Sequence, residues 1–241
     1  MYPGGEIQET GRAIWTMSAT SLLVANGVIR YDAKDFDGPA SERDLDSCLA
    51  VLSTYDVPWR FSAWEHLGAD RLMPRLSARG LVRTGQATAL WLSVRNRRPA
   101  TVVEDRIEIR TSANASDHHL WTGIFIEVFK IPSRYADVFE LTVVDSHTFS
   151  AVAYADGRPV GCVSFAIEDL VAVVDNIGVL PAFRRGGIGR RLFEAAHAAA
   201  AARGAMACVV VANPAGSRIC TRLGYQVVTS VTHLVPAPPP T

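Results

Sequence analysis

Val179-Leu180-Pro181-Ala182-Phe183-Arg184-Arg185-Gly186-Gly187-Ile188-Gly189-Arg190-Arg191 runs from an apolar strand through a glycine-dense basic turn into an alanine-rich helix. Residues 170–179 read as a buried strand, and residues 189–203 as a helix with Leu192, Phe193 and Ala196 on one apolar stripe. The turn therefore opens a helix. There the first amides lack intrahelical partners and the macrodipole presents its positive end, so an anion can be held by backbone alone. Gly186, Gly187 and Gly189 let the main chain approach closely, and Arg184, Arg185, Arg190 and Arg191 supply countercharge. The local chemistry is that of a phosphate cradle.

Spacing separates the known cradles. A Walker A loop ends in Gly-Lys followed by Ser or Thr, and no such pair follows these glycines. A dinucleotide fingerprint counted from Gly187 would need its third glycine at Leu192 and an acidic residue about twenty positions on, and neither is present. The pattern that fits is R-x-x-G-x-G, carried by Arg184, Gly187 and Gly189. It resembles the acetyl-coenzyme A loop of the GNAT N-acetyltransferase superfamily, including the Val-x-Pro that precedes it. The likeness continues downstream. Residues 206–212 read as a buried strand ending at Asn213, and Asn213 is followed at the family's separation by Leu223-Gly224-Tyr225.

Upstream of the turn, residues 106–110, 149–155 and 160–167 read as strands, the last two around an Asp156-Gly157 turn, and 120–129 and 135–144 as helices. The resemblance thus covers about residues 105–230. A basic, proline-containing stretch, Ser93 to Thr101, reads as a linker. Ahead of it lie a strand around Ser21 to Arg30 that contains Asn26-Gly27, helices at 41–54 and 71–79, and strands near 58–62 and 87–93. Their order and the Asn26-Gly27-Val28 strand resemble the degenerate N-terminal lobe of two-lobed GNAT proteins. An unrelated α/β lobe is the other reading.

The expected fold is α/β (α+β), a mixed, mostly antiparallel GNAT-like sheet flanked by helices. Residues 1–98 form an N-terminal lobe, 99–235 the acetyl-CoA-binding lobe and 236–241 a proline-rich tail.

Composition limits the alternatives. The chain has 241 residues, 49% hydrophobic and 20% charged, with 24 basic and 24 acidic residues, enough to bury substantial cores. Zero net charge provides no global field for nucleic acid. Met1 to Met17 contains Glu6 and Glu9 and no long apolar core, so it is not a signal peptide, and no segment reaches membrane-spanning length. Cys48, Cys162, Cys208 and Cys220 lack metal-ligand spacing, so no metal is expected and a reducing, cytoplasmic setting is.

The resemblance implies a chemistry and a set of site residues. An N-acetyltransferase would bring acetyl-CoA and a small-molecule amine together between splayed strands and transfer the acetyl group directly. Ile177 and Val179 would pair with the pantetheine through their backbones. Arg184, Arg185, Gly186, Gly187, Ile188, Gly189 and Arg190 would hold the pyrophosphate, with Asn213 completing the cofactor site. The Val179 N–H would polarise the thioester. Asp175 is the best-placed general base, with a hydrogen-bonded strand residue as its other reading, and Glu168 is a weaker candidate. The family's proton-donating Tyr position is here Cys220. Water or another residue could replace it, Cys220 itself could donate, or the chain could bind acyl-CoA as a degenerate or regulatory protein without efficient turnover. His118-His119 lies near the substrate-loop region, where a polar helix face is the plainer reading. A homodimer is compatible with the chain.

Overall fold

A computed structural model describes residues 5–18, 20–21, 23–95, 106–112, 115–142 and 148–238. Its elements in chain order are β1 (Glu6–Glu9), β2 (Ala13–Met17), β3 (Gly27–Tyr31), α1 (Gly38–Ser53), β4 (Arg60–Trp64), α2 (Ala69–Ala78), β5 (Leu81–Ser93) and β6 (Ile107–Thr111). There follow α3 (Ala115–Phe129), α4 (Ala136–Thr142), β7 (Thr148–Ala155), β8 (Arg158–Glu168), β9 (Val171–Val179), α5 (Ile188–Ala202), β10 (Ala207–Ala212), α6 (Pro214–Arg222) and β11 (Gln226–Pro236). The chain divides into two units, residues 1–89 with 228–241, and residues 90–227.

In the first unit the strands run in the order β1-β2-β3-β4-β11, with β5 beyond β11. β3 and β4 pair in parallel and the other registered pairs are antiparallel. Leu45, Cys48, Leu49 and Leu52 recur at helical spacing on α1 and meet Tyr31, Phe61, Leu72 and Leu76 in one core. Arg75 of α2 and Arg79, its C-cap, reach Glu42 of α1 at 2.7 Å each, and Arg79 also reaches Asp46 at 2.6 Å. The expected Asn26-Gly27 strand begins only at Gly27, because Asn26 is committed elsewhere. Its amide oxygen accepts from Ser18 N at 2.7 Å, and its amide nitrogen donates to Thr20 O and Pro58 O. Gly27 has φ +119°, and a Cβ there would lie 1.9 Å from the carbonyl oxygen of Arg60. Only glycine permits that approach.

In the second unit the order is β10-β9-β8-β7-β6, with residues 90–93 of β5 beside β10. β6 to β9 form an antiparallel ladder, and β10 joins β9 in parallel. One core gathers Leu192, Phe193, Ala196 and Ala200 of α5 against Phe165, Val174, Cys208 and Val210. The small alanines let the helix lie close to the sheet. On the other face, α3 stacks His118, Trp121 and Phe125 in sequence, and the Trp121 indole donates to the Val163 carbonyl at 3.0 Å.

Two boundaries differ from expectation. The division falls at Ala89/Leu90, inside a thirteen-residue strand, so residues 93–95 continue structured chain rather than begin a linker; residues 96–101 lie outside the described residues. The chain from Val228 onward belongs to the first unit, and β11 extends through Pro236, with Ala237 N donating to Gly80 O. Within β11, Thr229, Val231 and Leu234 are buried. Residues 143–144 at the end of the expected second helix, and 145–147 after it, also lie outside the described residues.

Candidate functional site

β9 and β10 pair only at Val171 with Ala207, Ala172 with Cys208 and Val173 with Val209. Beyond these the strands part, leaving the edge of β9 from Val174 to Val179 without a registered partner on the β10 side. That edge contains the predicted Ile177 and Val179. Leu180 N donates to Val160 O across the β8 side, and antiparallel alternation therefore turns the N–H and C=O of Val179 the opposite way, into the opening.

A bulge precedes this edge. Ser164 faces Asp175 and Cys162 faces Gly178, so one residue of β8 opposes Asn176 and Ile177. Asn176 has φ +51°, a left-handed conformation that Asn tolerates better than most residues. Its amide nitrogen donates to Ser164 Oγ at 3.1 Å, and its backbone N–H donates to Asp175 Oδ1 at 2.8 Å. The bulge shifts the side-chain alternation. Asp175 and Gly178 turn toward α3, where a Cβ on Gly178 would collide with Val128 and Phe129, whereas Val179 turns toward α5.

The basic turn leads directly from Val179. Arg184 Nε donates to the Val179 carbonyl at 2.9 Å, closing the turn on the strand it leaves. Arg185 and Gly187 take positive φ of +70° and +81°, and Gly187 caps α5 in the left-handed region without a side-chain hydrogen bond. The helix's opening amides, from Ile188 to Arg190, thus receive no acceptor from the capping residue, and nothing lies within 4 Å of where a Gly187 Cβ would stand. That open, uncapped N-terminus fits a pyrophosphate. Gly189 lies where its Cβ would touch Ile219 of α6 and Val179 at 3.8 and 3.9 Å. The cradle, the end of β9 and α6 therefore converge.

The predicted residues are not equally available. Arg184, Arg185, Gly186 and Gly187 are exposed, while Ile188 is buried and can act only through its backbone. Arg190 is held by Glu194 one turn on, Nε to Oε1 at 2.8 Å, which is a helix-face ion pair. Asn213 is the N-cap of α6, its Oδ1 accepting from Ala215 N and Gly216 N at 3.1 and 2.9 Å. Asp175 is exposed. Cys220 is fully buried in the second unit's core, and burial pushes its thiol up to about 11. Tyr225, beside it in that core, bonds His197 at 2.8 Å. Glu168 is exposed, and His118 is buried with Nε2 at 3.4 Å from the Phe139 carbonyl. The bulge, Ile219 and the Trp121 indole escaped the sequence reading. The polar pair Asp175-Asn176 interrupts an otherwise apolar strand, a pattern that a bulge and a strand end share.

Among the described residues no group of His, Cys, Asp or Glu is arranged to hold a metal, and no helix is long and apolar enough to cross a membrane.

Residues 117–225 match the Acetyltransferase (GNAT) family. No curated protein matches the chain. Among solved structures, the chain is similar to a GCN5-related N-acetyltransferase from Kribbella flavida at TM-score 0.75 and 17% identity, over 99% of this chain and 91% of that one. It is also similar to a GCN5-related N-acetyltransferase from Sphaerobacter thermophilus, at TM-score 0.69 and 13% identity over 94% and 81%. A tandem GNAT protein from the clavulanic acid biosynthesis pathway aligns over 100% of this chain and 86% of its own, at TM-score 0.63 and 13% identity. These likenesses give a GNAT-like fold along the chain, and it is residues 117–225 that match the acetyltransferase (GNAT) family.

Proposed function

We propose that the protein is an acyl-CoA-dependent N-acetyltransferase that moves the acetyl group of acetyl-CoA directly to the amine of a small-molecule or amino-acid-like acceptor. The observation that carries this reading is the parting of β9 from β10 after Val173 and Val209, next to the uncapped N-terminus of α5. Acetyl-CoA supplies an acetyl thioester, whose C–S bond is exchanged for a C–N bond to the amine.

The chain's own groups divide the work. The amides opening α5, with Arg184 and Arg185, bind the pyrophosphate. The Val179 N–H, turned into the opening, donates to the carbonyl oxygen and stabilises the charge that develops there. Asp175 takes the proton the amine must lose. Water returns a proton to the departing sulfur. Cys220, without exposed surface, serves as packing. Residues 1–89 with 228–241 serve as a lobe without a cradle of their own, since no R-x-x-G-x-G occurs there.

A buried cysteine at the family's tyrosine position favours a second reading, a degenerate acyl-CoA-binding protein. Free thiol followed over time with acetyl-CoA and a panel of amines separates the two. Release that depends on the amine supports the enzyme. Measurable coenzyme A binding with no release across the panel overturns it.

A further inference from the structure

The sheet of the second unit has two unlike faces. The face toward α5 is packed, whereas α3 covers only part of the other. Val173, Val211 and Trp91 stand 46%, 51% and 39% exposed. They share that open face. Val173 pairs with Val209, so Val211 two residues on points the same way, and Trp91 lies between Leu90 and Leu92, which are buried in the α5-side core. Asp175 also belongs to this face, two residues beyond Val173 and before the bulge. Phe129, 45% exposed, closes against Gly178 at its rim.

The strands at the centre of this face carry acids, and Arg95 and Lys130 follow β5 and α3 at its ends. Asp175 and Glu168 are its acids, while β9, β10 and residues 90–93 contain no Lys or Arg. A carboxylate or phosphate lying over these strands would meet Asp175 and no cation of β9, β10 or residues 90–93, and a sugar would find few polar partners among Val, Val and Trp. An amine fits the carboxylate, and an apolar body fits the patch.

We infer that the acceptor is a primary amine on an apolar body, aromatic or branched aliphatic, lying on the α3 face with its ammonium at Asp175 and its body over Val173, Val211 and Trp91. This rests on the acetyltransferase reading above. The Asp175 carboxylate provides the attraction, and the exposed apolar side chains provide the preference for the body.

Calorimetric titration of the whole protein with 2-phenylethylamine, isobutylamine and glucosamine, each with and without saturating coenzyme A, tests it without requiring turnover. The two apolar amines should bind at least tenfold more tightly than glucosamine. Val211→Lys should erase that difference, and Trp91→Ala should weaken 2-phenylethylamine several-fold, with the coenzyme A dissociation constant as the check on folding. Equal or reversed preference in the unsubstituted protein overturns the inference, as does a dimer in sedimentation that Val211→Lys dissociates, which would assign the face to a second copy. Failure to bind coenzyme A would strike the acetyltransferase reading instead, and the amine titration without coenzyme A would still decide the class.

Discussion

Arg184 donates its Nε hydrogen to the carbonyl of Val179, so the first arginine of the cradle is tied to the last residue of the strand that would align the thioester. The bond is to backbone and lies at the surface, where a charge-assisted hydrogen bond contributes on the order of 1 kcal/mol. Arg184→Ala should weaken coenzyme A binding about five- to tenfold in calorimetry. Arg184→Lys keeps the charge and loses the planar Nε donor, so its affinity should fall between the two.

Gly189 and Gly187 are expected to respond differently to the same substitution. Gly189 lies in α5 with ordinary space around its Cβ position, whereas Gly187 holds φ +81°. Gly189→Ala should raise the melting temperature slightly, since alanine is favoured over glycine in a helix by about 1 kcal/mol. Gly189→Glu should abolish coenzyme A binding while the protein stays folded. Gly187→Glu should lose binding and also about 1–2 kcal/mol of stability from strain, measured by denaturant unfolding.

Cys220 has no exposed surface, and its raised thiol stays neutral through the physiological range. Cys220→Ala should cost about 1 kcal/mol in unfolding and leave kcat within about threefold. A kcat loss of a hundredfold or more would restore it as the proton donor. The contrast shows how far the chain could be read. R-x-x-G-x-G and the Asn213 to Gly224 interval were legible because turns and caps demand particular residue types at fixed offsets. Burial of Cys220 was not, because a small apolar residue on a short helix fits either a core or a crevice. Nor was the bulge, since nothing local distinguishes Asn176 in a widened strand from Asn176 at a strand end.

Stability should fall on both flanks of neutral pH for different reasons. On the alkaline side, burial raises Cys48 and Cys162 to about 12 and Cys220 to about 11, from an ordinary value of 9.0. The unfolded chain ionises first, so stability is lost as pH rises from 9 through 11 to 12. On the acid side, burial and then Arg60 lower His233 to about 4 from 6.5. Its contribution is present above 6.5 and lost as pH falls toward 4. His233→Gln, which can still meet Ser62, should flatten the acid limb in urea titrations at pH 7 and pH 4.5.

Gly178 should tolerate nothing larger. A Cβ there would stand 2.3 Å from Val128 Cγ1, so Gly178→Ala must push α3 off the strand. A loss of about 1–3 kcal/mol is expected, read by thermal unfolding, together with a weaker apolar amine preference as Phe129 moves.

The two residues of β9 that oppose one of β8 change which face its side chains take. In an unbroken strand, Asp175 and Val179 are four positions apart and their side chains would point the same way. The extra residue puts the strand out of step with itself, so Asp175 and Val179 turn to opposite faces, and on the proposed reading one stretch of backbone would address the coenzyme from one side and the amine from the other. Removing Asn176 would restore the rhythm and leave both reactants competing for a single face.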